Sequence, residues 1–177
     1  MFKKINLEKY VRNIPDFPKP GILFRDVTTL IQDGPAFKAA IDKLVKKYKN
    51  QKIDKIVAVE ARGFIFGAAL AYRLGIGFVP VRKKGKLPFK TNSVTYSLEY
   101  GSDTLEIHQD AISTADKVLI VDDLLATGGT VKGVTELVEG LKGEIAGIAF
   151  VIELFDLNGR DKLKGYDIYS LIKFPGH

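Results

Sequence analysis

The stretch Lys117–Thr130, reading KVLIVDDLLATGGT, constrains this chain more than any other. It opens on an apolar, mostly β-branched run, Val118-Leu119-Ile120-Val121, which reads as a strand buried on both faces. Two carboxylates, Asp122 and Asp123, follow at once. Then Ala126-Thr127-Gly128-Gly129-Thr130 forms a small, glycine-rich turn. Behind it Val131, Val134, Leu137, Val138 and Leu141 recur at spacings of three and four, the pattern of an amphipathic helix. A strand covered on both faces, a short turn and a helix predict an α/β chain built on a parallel sheet.

Each part of this run has a chemical use. Glycines let backbone N–H groups approach an anion closely. The first turn of a helix presents unpaired N–H donors and partial positive charge, both suited to phosphate. Thr127 and Thr130 add hydroxyls. Asp122 and Asp123 stand where a strand is expected to end, which in an open parallel sheet is the ligand-binding edge. Carboxylates there can accept hydrogen bonds from sugar hydroxyls, so the pattern suggests a ribose 5-phosphate. The same residues also suit an ordinary turn with two solvated acids. No Gly-Lys-Ser/Thr follows, so this is not a P-loop, and the spacing G-x-G-x-x-G is absent.

VLIVDDLLATGGT resembles the phosphoribosyl pyrophosphate (PRPP) signature of type I phosphoribosyltransferases, and its Leu124-Leu125 and Ala-Thr-Gly-Gly-Thr ending resemble the adenine phosphoribosyltransferase branch. The resemblance implies an open, mainly parallel twisted sheet flanked by helices. An N-terminal base-binding hood (residues 1–34) and a β-hairpin flap (83–113) would accompany it, all in one domain, 1–177. It also implies Mg²⁺ carried mainly through PRPP, with no direct protein ligand.

The wider composition agrees. A length of 177 residues suits a single domain. With no cysteine, disulfides and thiolate metal sites are excluded, which fits a cytoplasmic location. The N-terminal MFKKINLEKY lacks an apolar segment behind its lysines, so no signal peptide is expected. No apolar run approaches the length of a membrane span. The formal charge of +6 could suit nucleic acid. The lysines are spread along a helical face, however, no nucleic-acid motif is present, and a polyanionic small molecule suits local basic clusters equally well.

In chain order, residues 5–13 are weakly helical, and Pro15, Pro18, Pro20 and Gly21 then force an extended, turning segment. Ile22 and Phe24 within it suit either core packing or an aromatic face for a base. FPKPGILFRDVT resembles the family's purine-binding segment. By that resemblance Phe24 stacks on adenine, while the backbone of Leu23 and Arg25 reads its edge. Asp33-Gly34-Pro35 starts a helix carrying Phe37, Ile41, Leu44, Val45 and Tyr48. Lys55–Val59 and Phe78–Val81 read as strands around a helix from Phe64 to Leu74, a right-handed βαβ unit.

Arg62 follows the first of these strands, and Arg82, Lys83, Lys84 and Lys86 follow the second. Both clusters should meet on the edge that carries Asp122, where a pyrophosphate needs several donors. EARGF and PVRKKGKLP resemble pyrophosphate-binding segments, with Arg62 supplied within the subunit. Arg82, Lys83 and Lys86 would reach the site of an adjacent subunit in a homodimer. Residues 93–100 and 104–108 read as a hairpin about Gly101-Ser102-Asp103, a natural lid. YSLEY resembles a flap segment whose glutamate, here Glu99, handles a proton. Residues 144–152 and 166–171 read as further strands.

The resemblance implies an enzyme of purine salvage that joins adenine to PRPP, giving AMP and pyrophosphate. Its partners would be those two small molecules and a second copy of the chain, without nucleic acid or membrane. A transferase for another purine, or a non-catalytic PRPP-binding regulator, are the alternatives.

Overall fold

A computed structural model describes residues 5–97 and 102–176. The weak helical period at the N-terminus resolves into one 3-10 turn, Leu7–Tyr10, followed by strand β1 (Arg12–Pro15). β1 pairs antiparallel with β2 (Leu23–Asp26), setting Ile14 opposite Phe24. A tertiary contact overrides the local helical tendency here: the Arg12 guanidinium reaches Asp26 at 2.6 and 3.1 Å. Asp26 in turn accepts the Thr28 N–H at 2.9 Å, where helix α1 (Thr28–Gln32) begins.

Helix α2 (Gly34–Tyr48) starts as its sequence predicts. Asp33 Oδ1 accepts the Ala36 N–H at 2.8 Å, and a proline occupies the first turn. Then come β3 (Lys55–Val59), α3 (Arg62–Leu74), β4 (Gly77–Lys83), β5 (Thr91–Ser97) and β6 (Ser102–His108). The chain continues through β7 (Lys117–Leu125), α4 (Gly129–Gly140), β8 (Glu144–Leu154), 3-10 turns at Phe155–Leu157 and Gly159–Leu163, and β9 (Ile168–Phe174).

Among the described residues, seven strands form the main sheet in the order β5-β6-β4-β3-β7-β8-β9. From β4 to β9 all neighbours run parallel, and the two remaining pairings, β4–β6 and β5–β6, are antiparallel. Successive side chains of a strand point to opposite faces, so each central strand feeds two cores. Ile56, Ala58, Leu119, Val121, Ala149 and Val151 face α2 and α3. Val57, Val59, Val118, Ile120, Ile148 and Phe150 face α4. This double burial is why the strands read as unbroken apolar runs.

Two expectations need correction. β7 does not stop before its acids: it continues through Asp122 and Asp123 to Leu125, because the long β8 pairs with it as far as Leu125–Glu153. The hairpin of segment 83–113 is built into the sheet at its base. β6 joins β4 through Arg82–Glu106 and Lys83–Leu105, and Leu105 and Ile107 are buried. The hairpin tip, with Glu99, lies outside the described residues.

The strand order also locates the binding crevice. From β3 the chain passes through α3 to β4 on one side, while β7 lies on β3's other side and leads through α4 on the opposite face. The strand order therefore reverses between β3 and β7, and the crevice opens at their carboxyl ends.

Candidate active site

At that reversal the segments after β3 and within late β7 enclose a cleft of about 480 Å³. Its walls include Glu60, Arg62, Lys83, Asp122, Asp123 and the whole run Ala126–Thr130. The predicted sugar and phosphate groups are therefore brought together with two of the predicted cations.

The acids differ in setting. Asp123 Oδ2 receives the Arg62 Nε–H at 2.5 Å, so the arginine at the start of α3 is turned onto the second acid. Asp122 is buried, and its Oδ1 accepts the Asp123 backbone N–H at 2.9 Å. Burial first, and then the neighbouring Asp123 charge, push the Asp122 carboxyl well above the usual carboxylate range. A buried acid of this kind is suited to an arriving partner that restores what water supplied.

The phosphate-type loop has its own logic. Gly128 holds φ at +78°, a left-handed conformation that side chains rarely adopt. A Cβ there would also collide with the Gly159 carbonyl oxygen, and a Cβ at Gly159 would collide with the Ala126 carbonyl oxygen. The glycine in the loop is thus required by packing within the chain. From Gly129 onward α4 begins, with its first-turn N–H groups at the cleft.

The basic residues divide. Lys83 lines the cleft, paired with Asp103 of β6 at 2.9 Å. The Asp103 hydrogen bond raises the Lys83 pKa. Arg82 and Lys86 do not line it. The Arg82 guanidinium donates to Glu60 at 3.1 Å and to the Lys86 carbonyl at 3.3 Å. Burial opposes ionisation of Glu60, but the Lys83 N–H at 2.5 Å and Arg82 outweigh it and hold its pKa below the ordinary value.

The segment expected to read a base, Leu23–Arg25, lies in β2. The Phe24 ring is half-buried, with the Arg62 guanidinium carbon 5.5 Å from its centre and Phe17 edge-on at 5.2 Å. Among the described residues β2 pairs only with β1, so no strand covers the other backbone edge of Leu23 and Arg25. The Arg25 side chain is engaged elsewhere: it donates to Asn13 at 2.7 Å and to the Pro175 carbonyl at 2.9 Å, over the Phe174 ring.

Three contacts escaped sequence reasoning. Glu60 orients Arg82, Tyr96 of β5 meets the Thr130 hydroxyl, and Gly159 supports the loop. Glu60 had a usable signal, being an acid at a strand end two residues before Arg62. Tyr96 lay in the YSLEY segment without an assigned contact, and Gly159 in a turn, because their contacts are with residues distant in sequence. A metal cage is also absent: among the described residues no group of three or more His, Cys, Asp or Glu stands together.

The model of the phosphoribosyl transferase domain family matches residues 27–175. The chain is 61% identical over 170 residues to an adenine phosphoribosyltransferase of Clostridium botulinum, covering 96% of this chain and 99% of that protein. Among solved structures it is similar to the adenine phosphoribosyltransferase of Thermoanaerobacter pseudethanolicus. The TM-score is 0.92 at 57% identity, covering 96% of this chain and 100% of that one. It is also similar to the Saccharomyces cerevisiae adenine phosphoribosyltransferase, solved with adenine and an imino-altritol bisphosphate. There the TM-score is 0.88 at 44% identity, covering 93% and 96% of the two chains.

Proposed function

The chain belongs to the adenine phosphoribosyltransferase family, and from that premise we infer the reaction and the residue roles that its cleft supports. It is a transferase that moves the 5-phosphoribosyl group of PRPP to adenine, giving AMP and pyrophosphate in purine salvage. The carrying observation is the meeting of two acids, Arg62, Lys83 and the loop Ala126–Thr130 in one cleft, since PRPP presents hydroxyls, a pyrophosphate and a phosphate together.

In this reading the backbone N–H groups and hydroxyls of Thr127–Thr130 hold the 5-phosphate, with Ala126 leading into the loop. Asp122 and Asp123 accept the ribose hydroxyls. A purine ring nitrogen attacks the anomeric carbon as the bond to pyrophosphate breaks, and positive charge develops on the sugar. The two carboxylates offset that charge, and the same hydroxyl contacts fix the ring for in-line attack. Arg62 and Lys83 hold the departing pyrophosphate. Arg82 and Lys86, outside this chain's own cleft, serve the neighbouring subunit. Phe24 stacks on adenine and the free edge of Leu23 and Arg25 reads it. Glu99 handles the proton of the purine.

Magnesium, when bound with PRPP, neutralises pyrophosphate charge. The hard oxygen donors of Asp122 and Asp123, side by side in the cleft, would suit such an ion, with PRPP and water supplying most of its ligands. A homodimer is the assembly proposed. It is supported by an apolar stripe on the outer face of α3, where Ile65, Ala68 and Tyr72 are exposed at helical spacing. A cytosolic location belongs to the same proposal. Among the described residues no helix is long and apolar enough to cross a membrane.

Competition among adenine, hypoxanthine, guanine and xanthine in a PRPP-dependent turnover assay tests the reading. Adenine should be consumed in preference to the other three. Preferential use of another purine would overturn the assignment.

A further inference from the structure

Behind the phosphate loop stands an ion pair that the reaction scheme leaves unused. Glu153, near the end of β8, has a side chain only 4% exposed, and Arg160 grips it with both arms of its fork, Nε at 2.6 Å and Nη2 at 2.7 Å. Lys173 lies 3.8 Å from the same carboxylate. Glu153 is the register partner of Leu125, the residue just before the loop. Arg160 directly follows Gly159, whose backbone abuts Ala126 and Gly128 so closely that a Cβ on either glycine would collide.

The loop is therefore held at two points, by the β7–β8 ladder at Leu125 and by the backbone of Gly159. One ion pair connects both. We propose that Glu153 and Arg160 are positioning residues for the 5-phosphate loop, acting through Gly159 to set the height and orientation of its N–H donors. With the Arg160 side chain 42% exposed, solvent screens the pair, and such pairs add little stability alone. A bidentate fork does supply fixed orientation. Hydrogen bonds to a phosphate weaken steeply with misalignment, so a shift of the Gly159 backbone would be felt in phosphate binding.

This inference rests on the phosphoribosyl-transfer reading, and the test separates the two. Gly159→Ala pushes on the loop directly. Arg160→Lys keeps the charge but loses the fork, and Lys173 still accompanies Glu153, which favours a folded variant. In both directions of the reaction, KM should rise about tenfold for PRPP and AMP, which carry the 5-phosphate, on the scale of one weakened charge-assisted hydrogen bond. KM for adenine and pyrophosphate should stay unchanged. Calorimetric titration with AMP and adenosine reads the loop without turnover, and the variants should lose most of AMP's advantage over adenosine. An unchanged AMP-to-adenosine ratio, or equal rises in KM for all four substrates, would overturn the positioning role. A wild type that prefers AMP to adenosine yet forms no AMP from adenine and PRPP would instead overturn the functional reading.

Discussion

Asp122 illustrates how a residue proposed to bind substrate can work against its own fold. Its carboxyl is buried beside Asp123, and its pKa is raised first by burial and then by that neighbour. A raised folded-state pKa means that the folded chain holds the proton more tightly than the unfolded one. Stability is then lost as pH rises from the ordinary aspartate value, about 4, through the elevated one. Asp122→Asn should therefore melt higher than wild type at neutral pH in the ligand-free state, by about 2–4 °C for each kcal/mol of relieved burial. The gain should shrink as pH falls toward about 4, where the unfolded aspartate is also protonated. The same variant should lose about two to three orders of magnitude in turnover, the scale of one electrostatic contact to the transition state. Melting curves across pH, set beside steady-state rates, check both parts. A variant that melts lower at every pH would contradict the account.

At the scale of elements, the β5–β6 hairpin has two characters. Its sequence suggested a lid, but Leu105 and Ile107 of β6 are core residues, packed with Val131 and Val134 of α4. β5 also lies against α4, since a Cβ at Gly133 would stand 3.3 Å from Val94 and 3.5 Å from Tyr96. The root of the hairpin is thus part of the packed sheet. Leu105→Ala should cost about 2–5 kcal/mol of stability, the usual price of emptying a buried leucine site. Denaturant unfolding would measure it, and a loss below about 0.5 kcal/mol, the range of a surface substitution, would mark the whole hairpin as peripheral. Residues 104–108 read as a strand from the sequence. That the strand joins β4 could not be read there, because pairing depends on the neighbour's register.

For the whole molecule, the exposed face of α3 carries the decisive prediction. Tyr72 is 85% exposed and Ile65 40%, on a helix whose other face is fully committed to the core. Tyr72→Glu should weaken self-association by more than about tenfold, as expected for an aromatic anchor at an interface centre. Turnover should fall with it if Arg82 and Lys86 act across the interface. Sedimentation equilibrium together with activity at matched concentrations checks this. A wild-type protein that remains monomeric at micromolar concentration would remove the proposed dimer.

Local chemistry was legible in the chain itself. Apolar runs declared the doubly covered strands, helical spacing declared α2 and α4, and the acid pair with its glycine loop suggested a sugar-phosphate chemistry beside an ordinary turn. These follow from periodicity and residue type, which act over a few positions. Distant contacts were not legible: β7 running on through its acids, Arg82 turned onto Glu60, Gly159 lodged under Gly128, and the hairpin root built into the sheet. Each depends on which backbone lies alongside which, and that is settled by packing among segments far apart in sequence, where no local pattern carries the information.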